Sequence, residues 1–363
     1  METRNYLRRR QAKKRRRKLI IRRIIAAAVL FVAIAAVVAL AVWLITAFIN
    51  RNTDTKPQEN PAQIEEQAET VPAEPETVTT SPTEGEEESQ TVTEPAVEKE
   101  TVVLTEDDVK KGILILVNRN HPFAFTAEYE LIDLFTYKSS AYKFRDDGMM
   151  FAPFAGEKLN EMLVDFYNRT GIGDINIISA FRDIETQQRI YNSRLEYYNG
   201  NVETTEKWVA LPGASEHHTG LAVDFGIYTS DGESYDYDGK GEYAWINENC
   251  WKYGFIVRYD SAKTDITGIA YEPWHFRYLG LPHAEIISHT DFCYEEYIAY
   301  LKAYPQNGEH LFFTSYTGEK YEIFFVRSEG EKTEIKIEKG ADYFISGNND
   351  DGFIVTVTLH DNS

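Results

Sequence analysis

His217 and Asp224 lie a short loop apart in Ser215-Glu216-His217-His218-Thr219-Gly220-Leu221-Ala222-Val223-Asp224-Phe225. Leu221, Val223 and Phe225 alternate with Ala222 and Asp224, the period-two pattern of a strand with one face in a core. Ala222 and Asp224 then share the other face, where the small Ala222 leaves clearance. Gly220 lets the chain turn tightly between the imidazole and the strand. A His and an Asp brought together this way suit a divalent metal, but two ligands do not make a site. A third candidate, His275, stands in Tyr271-Glu272-Pro273-Trp274-His275-Phe276-Arg277-Tyr278. On a strand, His275 and Arg277 take one face and Trp274 and Phe276 the other. A regular strand would put Glu272 opposite His275, but Pro273 favours a bend that returns its carboxylate to the metal side. Three protein ligands with an open fourth position is the pattern of a catalytic zinc. Such an ion acidifies water, and an unliganded Glu272 is placed to accept the proton.

Two further groups point into the same chemistry. Arg182, in Ser179-Ala180-Phe181-Arg182-Asp183, falls where a strand gives way to a helix. Its planar, always-charged fork suits a substrate carboxylate or a developing oxyanion. Gln187 follows about one helical turn later. A lone His is more often a core or surface residue than a ligand, and His121, His283, His289, His310 and His360 are read that way. So is His218, whose side chain should point away from that of His217.

The elements that must position these groups are legible as patterns. Apolar residues recur at helical spacing over 155–169, ending at Gly171. Residues 113–117 form a buried strand or extended run, 175–180 a strand, and 183–198 a helix that Asp183 caps. Helix 243–253 closes on Gly254, and strands follow at 255–259 and 274–278, then helices at 282–289 and 294–304. Beyond Pro305 the runs 311–314, 320–327, 333–338 and 352–359 alternate like strands between Gly, Asn and Asp turns.

Charge and hydropathy divide the rest. The net charge is −20, yet residues 1–23 are strongly basic and the region after 49 strongly acidic. Residues 24–49 carry no charge and exceed the roughly 20 residues that span a bilayer. The preceding Arg8-to-Arg23 cluster places the N-terminus inside and everything after residue 49 outside. The bulky exit around Trp43 and Phe48 favours an uncleaved anchor over a cleaved signal. These basic residues are explained by topology and anionic lipid, so no nucleic-acid partner is expected. Residues 50–100, rich in Glu, Thr and Pro and free of aromatics, read as a disordered acidic linker. Cys250 and Cys293 are the two cysteines, too few for a disulfide scaffold, and they read as buried thiols.

Three blocks carry a family resemblance: Ser179-Ala180-Phe181-Arg182 with Gln187; Pro212-Gly213-Ala214-Ser215-Glu216-His217 through Gly220-Leu221-Ala222-Val223-Asp224; and Glu272-Pro273-Trp274-His275-Phe276-Arg277-Tyr278. Together they resemble the VanY-type zinc D-alanyl-D-alanine carboxypeptidases, bacterial enzymes that trim peptidoglycan stem peptides. The resemblance spans roughly 114–303. It implies an α+β fold with a small antiparallel central sheet flanked by helices and carrying the zinc. It implies zinc on His217, Asp224 and His275, with Glu272 as catalytic base. It further implies Arg182 on the substrate or transition state, and Ser215 and Gln187 along the substrate. Phe181 stands where the family more often has Tyr, a change that touches substrate contacts and not the metal.

The expected organisation is a basic cytoplasmic segment (1–23), a transmembrane anchor (24–49), a linker (50–100), a zinc carboxypeptidase domain (101–304) and a small all-β appendage (305–363). The expected protein sits in a bacterial membrane with its catalytic domain outside, removing terminal D-alanine from stem peptides. L,D-carboxypeptidase or D,D-dipeptidase activity would share the constellation. A non-catalytic cell-wall binder is the alternative from another class, and it would be expected to have lost a ligand or the base.

Overall fold

A six-stranded sheet carries the site in the computed structural model, which describes residues 98–125 and 129–360. The segments 1–23 and 24–49, and the linker up to residue 97, lie outside the described residues. Among the described residues no helix is long and apolar enough to cross a membrane. The sheet order is Lys143–Phe144, Ile175–Ser179, Ala222–Tyr228, Glu272–Tyr278, Phe255–Tyr259, with Ser234–Asp236 pairing onto Ala222–Tyr228. Every pairing is antiparallel except the first, Lys143–Phe144 with Ile175–Ser179, which is parallel. The expected antiparallel sheet holds for the strands that carry Asp224 and His275, and one edge pair is parallel. The chain between the two strands of that edge pair includes the helix Pro153–Thr170, the crossover a parallel pair requires.

That helix begins with Pro at its first position and ends at Gly171, whose φ of 72° is left-handed. Leu159, Met162, Leu163 and Phe166 are buried at helical spacing. They pack into one core with Phe151, Ile175, Leu221, Val223, Phe225, Phe255 and Phe276. The inward alternation of Leu221, Val223 and Phe225 thus presses one sheet face onto the helix and leaves Asp224 on the other. Asp183 caps the helix Ile184–Tyr197, its carboxylate accepting from the Thr186 N–H at 2.7 Å. Cys250 and Cys293 are buried free thiols.

The region after Pro305 is built differently from an appendage. Leu311–Thr314, Lys320–Arg327, Gly352–Leu359 and Asp342–Gly347 make a four-stranded antiparallel sheet in that order. Thr333–Glu338 leaves it and pairs with Lys99–Leu104, a strand that begins within the stretch read as linker. Tyr321, Ile323, Phe325 and Ile354 share a core with Leu114, Leu116, Ile256, Leu279, Tyr294 and Tyr297. Residues 113–117 are a turn and irregular backbone and not a strand, with Leu114 and Leu116 buried in this shared core.

Candidate metal centre

Asp224 and His275 lie directly opposite each other on paired antiparallel strands. His217 arrives from the 3₁₀ turn Glu216–Thr219, which Gly220 closes at a φ of 68°. A ligand atom from each of His217, Asp224 and His275 falls within 4.8 Å of the others. His275 Nδ1 is 2.9 Å from Asp224 Oδ1, and His217 Nε2 is 3.2 Å from Asp224 Oδ2. The two imidazole rings meet edge to face with centroids 4.9 Å apart.

The protonation of His217 follows from its surroundings. Its Nδ1–H donates to the Ala180 carbonyl at 2.6 Å, which leaves Nε2 unprotonated toward Asp224. That nitrogen is buried and makes no hydrogen bond. Burial and the nearby Arg182 depress the His217 pKa to about 4, so the ring is neutral and its lone pair is free. An orphaned imidazole nitrogen beside a carboxylate and a second imidazole is a nitrogen and oxygen donor set of the kind zinc takes. The residues fit a metal of that class.

Burial would raise the Asp224 carboxyl, but the two histidines outweigh it and hold Asp224 ionised well below its ordinary range. Burial likewise opposes charge on His275, yet hydrogen bonds to Asp224 and Glu216 lift it to about 9. That proton occupies a position a bound cation would claim. Glu272 is buried, and that burial raises its pKa to about 8.

All the residues singled out from the sequence line one cleft of about 780 Å³: Arg182, Gln187, Ser215, His217, Asp224, Glu272 and His275. Glu272 reaches it through an irregularity in the sheet. Val257 pairs with Phe276 but Tyr259 pairs with Glu272, so the Glu272 strand carries surplus residues there. Trp274 packs against the core that holds Phe276, as expected, and it also lines the cleft. Arg182 stands 3.9 Å from Asp224 Oδ2 with its Nε buried and unpartnered. Gln187 donates from Nε2 to the Ala210 carbonyl at 2.7 Å, and its buried Oε1 has no partner. Each therefore brings a buried polar atom without a partner to the cleft wall.

His218 stays out of the metal group. Its Nδ1–H donates to the Arg182 carbonyl at 2.7 Å and its Nε2 accepts from the Gly213 N–H at 3.0 Å. It is more than a bystander, since it ties down the backbone that presents Arg182. Sequence reasoning also assigned no role to Glu216. Its side chain is fully buried and bonds Arg258, Arg277 and His275. The available signal was an acid beside a ligand together with two arginines inside otherwise apolar strands.

Residues 152–281 match the VanY family, described as D-alanyl-D-alanine carboxypeptidase. A D-alanyl-D-alanine carboxypeptidase of Enterococcus faecium is 37% identical over 267 residues, covering 72% of this chain and 80% of that one. A bifunctional D-Ala-D-Ala dipeptidase and D-Ala-D-Ala carboxypeptidase, VanXYC of Enterococcus gallinarum, is 32% identical over 52% of this chain and 94% of its own. Among solved structures, the vancomycin resistance D,D-dipeptidase VanXYg, in complex with a D-Ala-D-Ala phosphinate analogue, superposes with a TM-score of 0.64. It is 33% identical and matches 72% of this chain and all of its own.

Proposed function

This chain belongs to the VanY family of D-alanyl-D-alanine carboxypeptidases, peptidoglycan-acting hydrolases, and we propose that it is a zinc-dependent member that removes the terminal D-alanine of stem peptides. The observation that carries the zinc reading is the convergence of His217, Asp224 and His275 in one cleft with Glu272. Zinc held there would act as a Lewis acid on the scissile carbonyl and lower the pKa of water.

The remaining work falls to the chain's own side chains. Glu272, in the cleft but outside the metal group, accepts in its ionised form the proton of the attacking water and returns it to the departing amine. Water adds across the peptide bond, so the products are the shortened peptide and free D-alanine. Arg182 grips the substrate carboxylate through its fork, whose Nε is buried without a partner, a charge-assisted bond that also orients the scissile bond. Gln187 and Ser215 line the cleft along the peptide, Gln187 with its free Oε1 as acceptor. Placement outside the membrane on an anchor at 24–49 is part of the same proposal, and its support is the uncharged run with its basic flank.

The test is product analysis on the zinc-loaded full chain with defined tri-, tetra- and pentapeptides. Free D-alanine from the pentapeptide supports D,D-carboxypeptidase action. Hydrolysis of free D-Ala-D-Ala, assayed alongside, without action on the pentapeptide would instead make it a dipeptidase, and cleavage of the tetrapeptide an L,D-carboxypeptidase. No product from any peptide would remove the proposal.

A further inference from the structure

We infer that Glu216 is a positioning residue that fixes His275 with its Nε2 protonated and its Nδ1 turned to the metal. This rests on the zinc reading above and adds a residue to it. Glu216 precedes the ligand His217 but its carboxylate reaches the other histidine. Oε2 is 3.3 Å from His275 Nε2, while Oε1 accepts from Arg258 Nε at 2.8 Å and Arg277 Nη1 at 3.2 Å. The side chains of Glu216, Arg258 and Arg277 are wholly buried. A carboxylate is expensive to bury and stays there only when paired. Two guanidiniums keep this one ionised, so it can only accept, and the imidazole nitrogen facing it must carry a proton. A metal-ligating imidazole has one nitrogen for the metal and one for such a partner. With Nε2 engaged by Glu216, Nδ1 is left for the metal side, where Asp224 lies 2.9 Å away.

The clamp on Glu216 is itself anchored in two directions. Arg277 also donates to the carbonyls of Ile113 and Ile115 at 2.9 and 3.1 Å. Arg258 forms two bonds to Glu295 on the helix Tyr294–Leu301, at 2.9 and 2.7 Å. The Tyr294 ring lies against both guanidiniums, 5.4 and 5.6 Å from its centroid. The carboxylate therefore has little freedom to move off His275.

The experiment measures zinc affinity by chelator competition on the full chain, with circular dichroism to report folding. Glu216→Asp keeps the charge between the arginines but draws the carboxylate back from His275. Loss of an outer partner of this kind lowers metal affinity about 10–100-fold, and that is the expected result. Glu285→Gln is the control, since Glu285 is as deeply buried but bonds Ser315 and Tyr316 instead. It should leave zinc affinity within about 2-fold if positioning and not general destabilisation is at work. Cadmium-113 loading of the ¹⁵N-histidine wild type gives a readout that needs no variant. Metal coupling to His275 Nδ1, with a protected proton on Nε2, supports the assignment, and coupling to Nε2 overturns it. Equal zinc affinity in folded Glu216→Asp also overturns it while leaving the zinc reading intact. A wild type that takes up no zinc or cadmium refutes the zinc reading, and the Glu216 assignment falls with it.

Discussion

His275 faces Asp224 across a strand pair, with Nδ1 2.9 Å from Oδ1, and neither residue has its place without the other strand. The pair is set by sheet register, so it is as rigid as the sheet that carries it. Asp224→Asn keeps the shape and removes the charge. Its zinc affinity should fall by more than the roughly 100-fold that losing an outer partner costs, with an unchanged far-ultraviolet spectrum. Metal analysis after dialysis against a weak chelator checks it, and near-stoichiometric zinc in the variant would contradict it.

Glu272 is buried and lines the cleft without belonging to the metal group. Glu272→Gln should therefore retain zinc and lose turnover. General acid–base catalysis contributes about 10²–10⁴-fold, and kcat should drop within that range while metal content holds. A variant that loses both together would make Glu272 a ligand instead.

Arg182 offers a fork whose Nε is buried and unpaired. Arg182→Lys keeps the charge but not the fork. Hydrogen bonds to charged groups are worth about 1.5–3 kcal/mol, so kcat/KM on a peptide with a free C-terminal carboxylate should fall roughly 10–100-fold. A C-terminally amidated peptide should show a much smaller difference between wild type and variant. Equal losses on both peptides would assign Arg182 a purely structural task.

Away from the site, His283 is fully buried between Tyr297 Oη at 2.7 Å and Thr356 Oγ1 at 2.9 Å. Burial depresses its pKa to about 3, so it folds neutral. The unfolded chain takes up a proton near pH 6.5 that the folded chain refuses. The contribution of His283 is thus complete above pH 6.5 and lost as pH falls from there toward 3, by up to about 1.4 kcal/mol per pH unit. Denaturation midpoints at pH 7 and pH 5 should converge in His283→Gln relative to wild type. An identical pH dependence in both proteins would rule this out.

Much of this site was legible because two of the three candidate ligands, Asp224 and His275, lie on strands. Alternation across Leu221 to Phe225 settled which face Asp224 takes, and Pro273 marked the bend that frees Glu272. The Glu216 network was not legible, because Arg258 and Arg277 sit fully buried inside strands. Their partners come from three distant segments, Glu216, Ile113 with Ile115, and Glu295, so no local period reveals them. The strand Lys99–Leu104 escaped because its residues are mostly exposed, and only pairing with Thr333–Glu338 makes it a strand. Asp342–Gly347, half-buried at a sheet edge, has too weak an alternation to be read alone. The parallel edge pair rests on a two-residue strand, Lys143–Phe144, too short to leave a pattern.

The most direct measurement is D-alanine release from a stem pentapeptide ending in D-Ala-D-Ala, run with matched zinc analysis on wild type and Glu272→Gln. Near-stoichiometric zinc in both and D-alanine from the wild type alone are the expected result. Zinc-loaded wild type that releases no D-alanine, or a Glu272→Gln variant that releases it as fast, would contradict it.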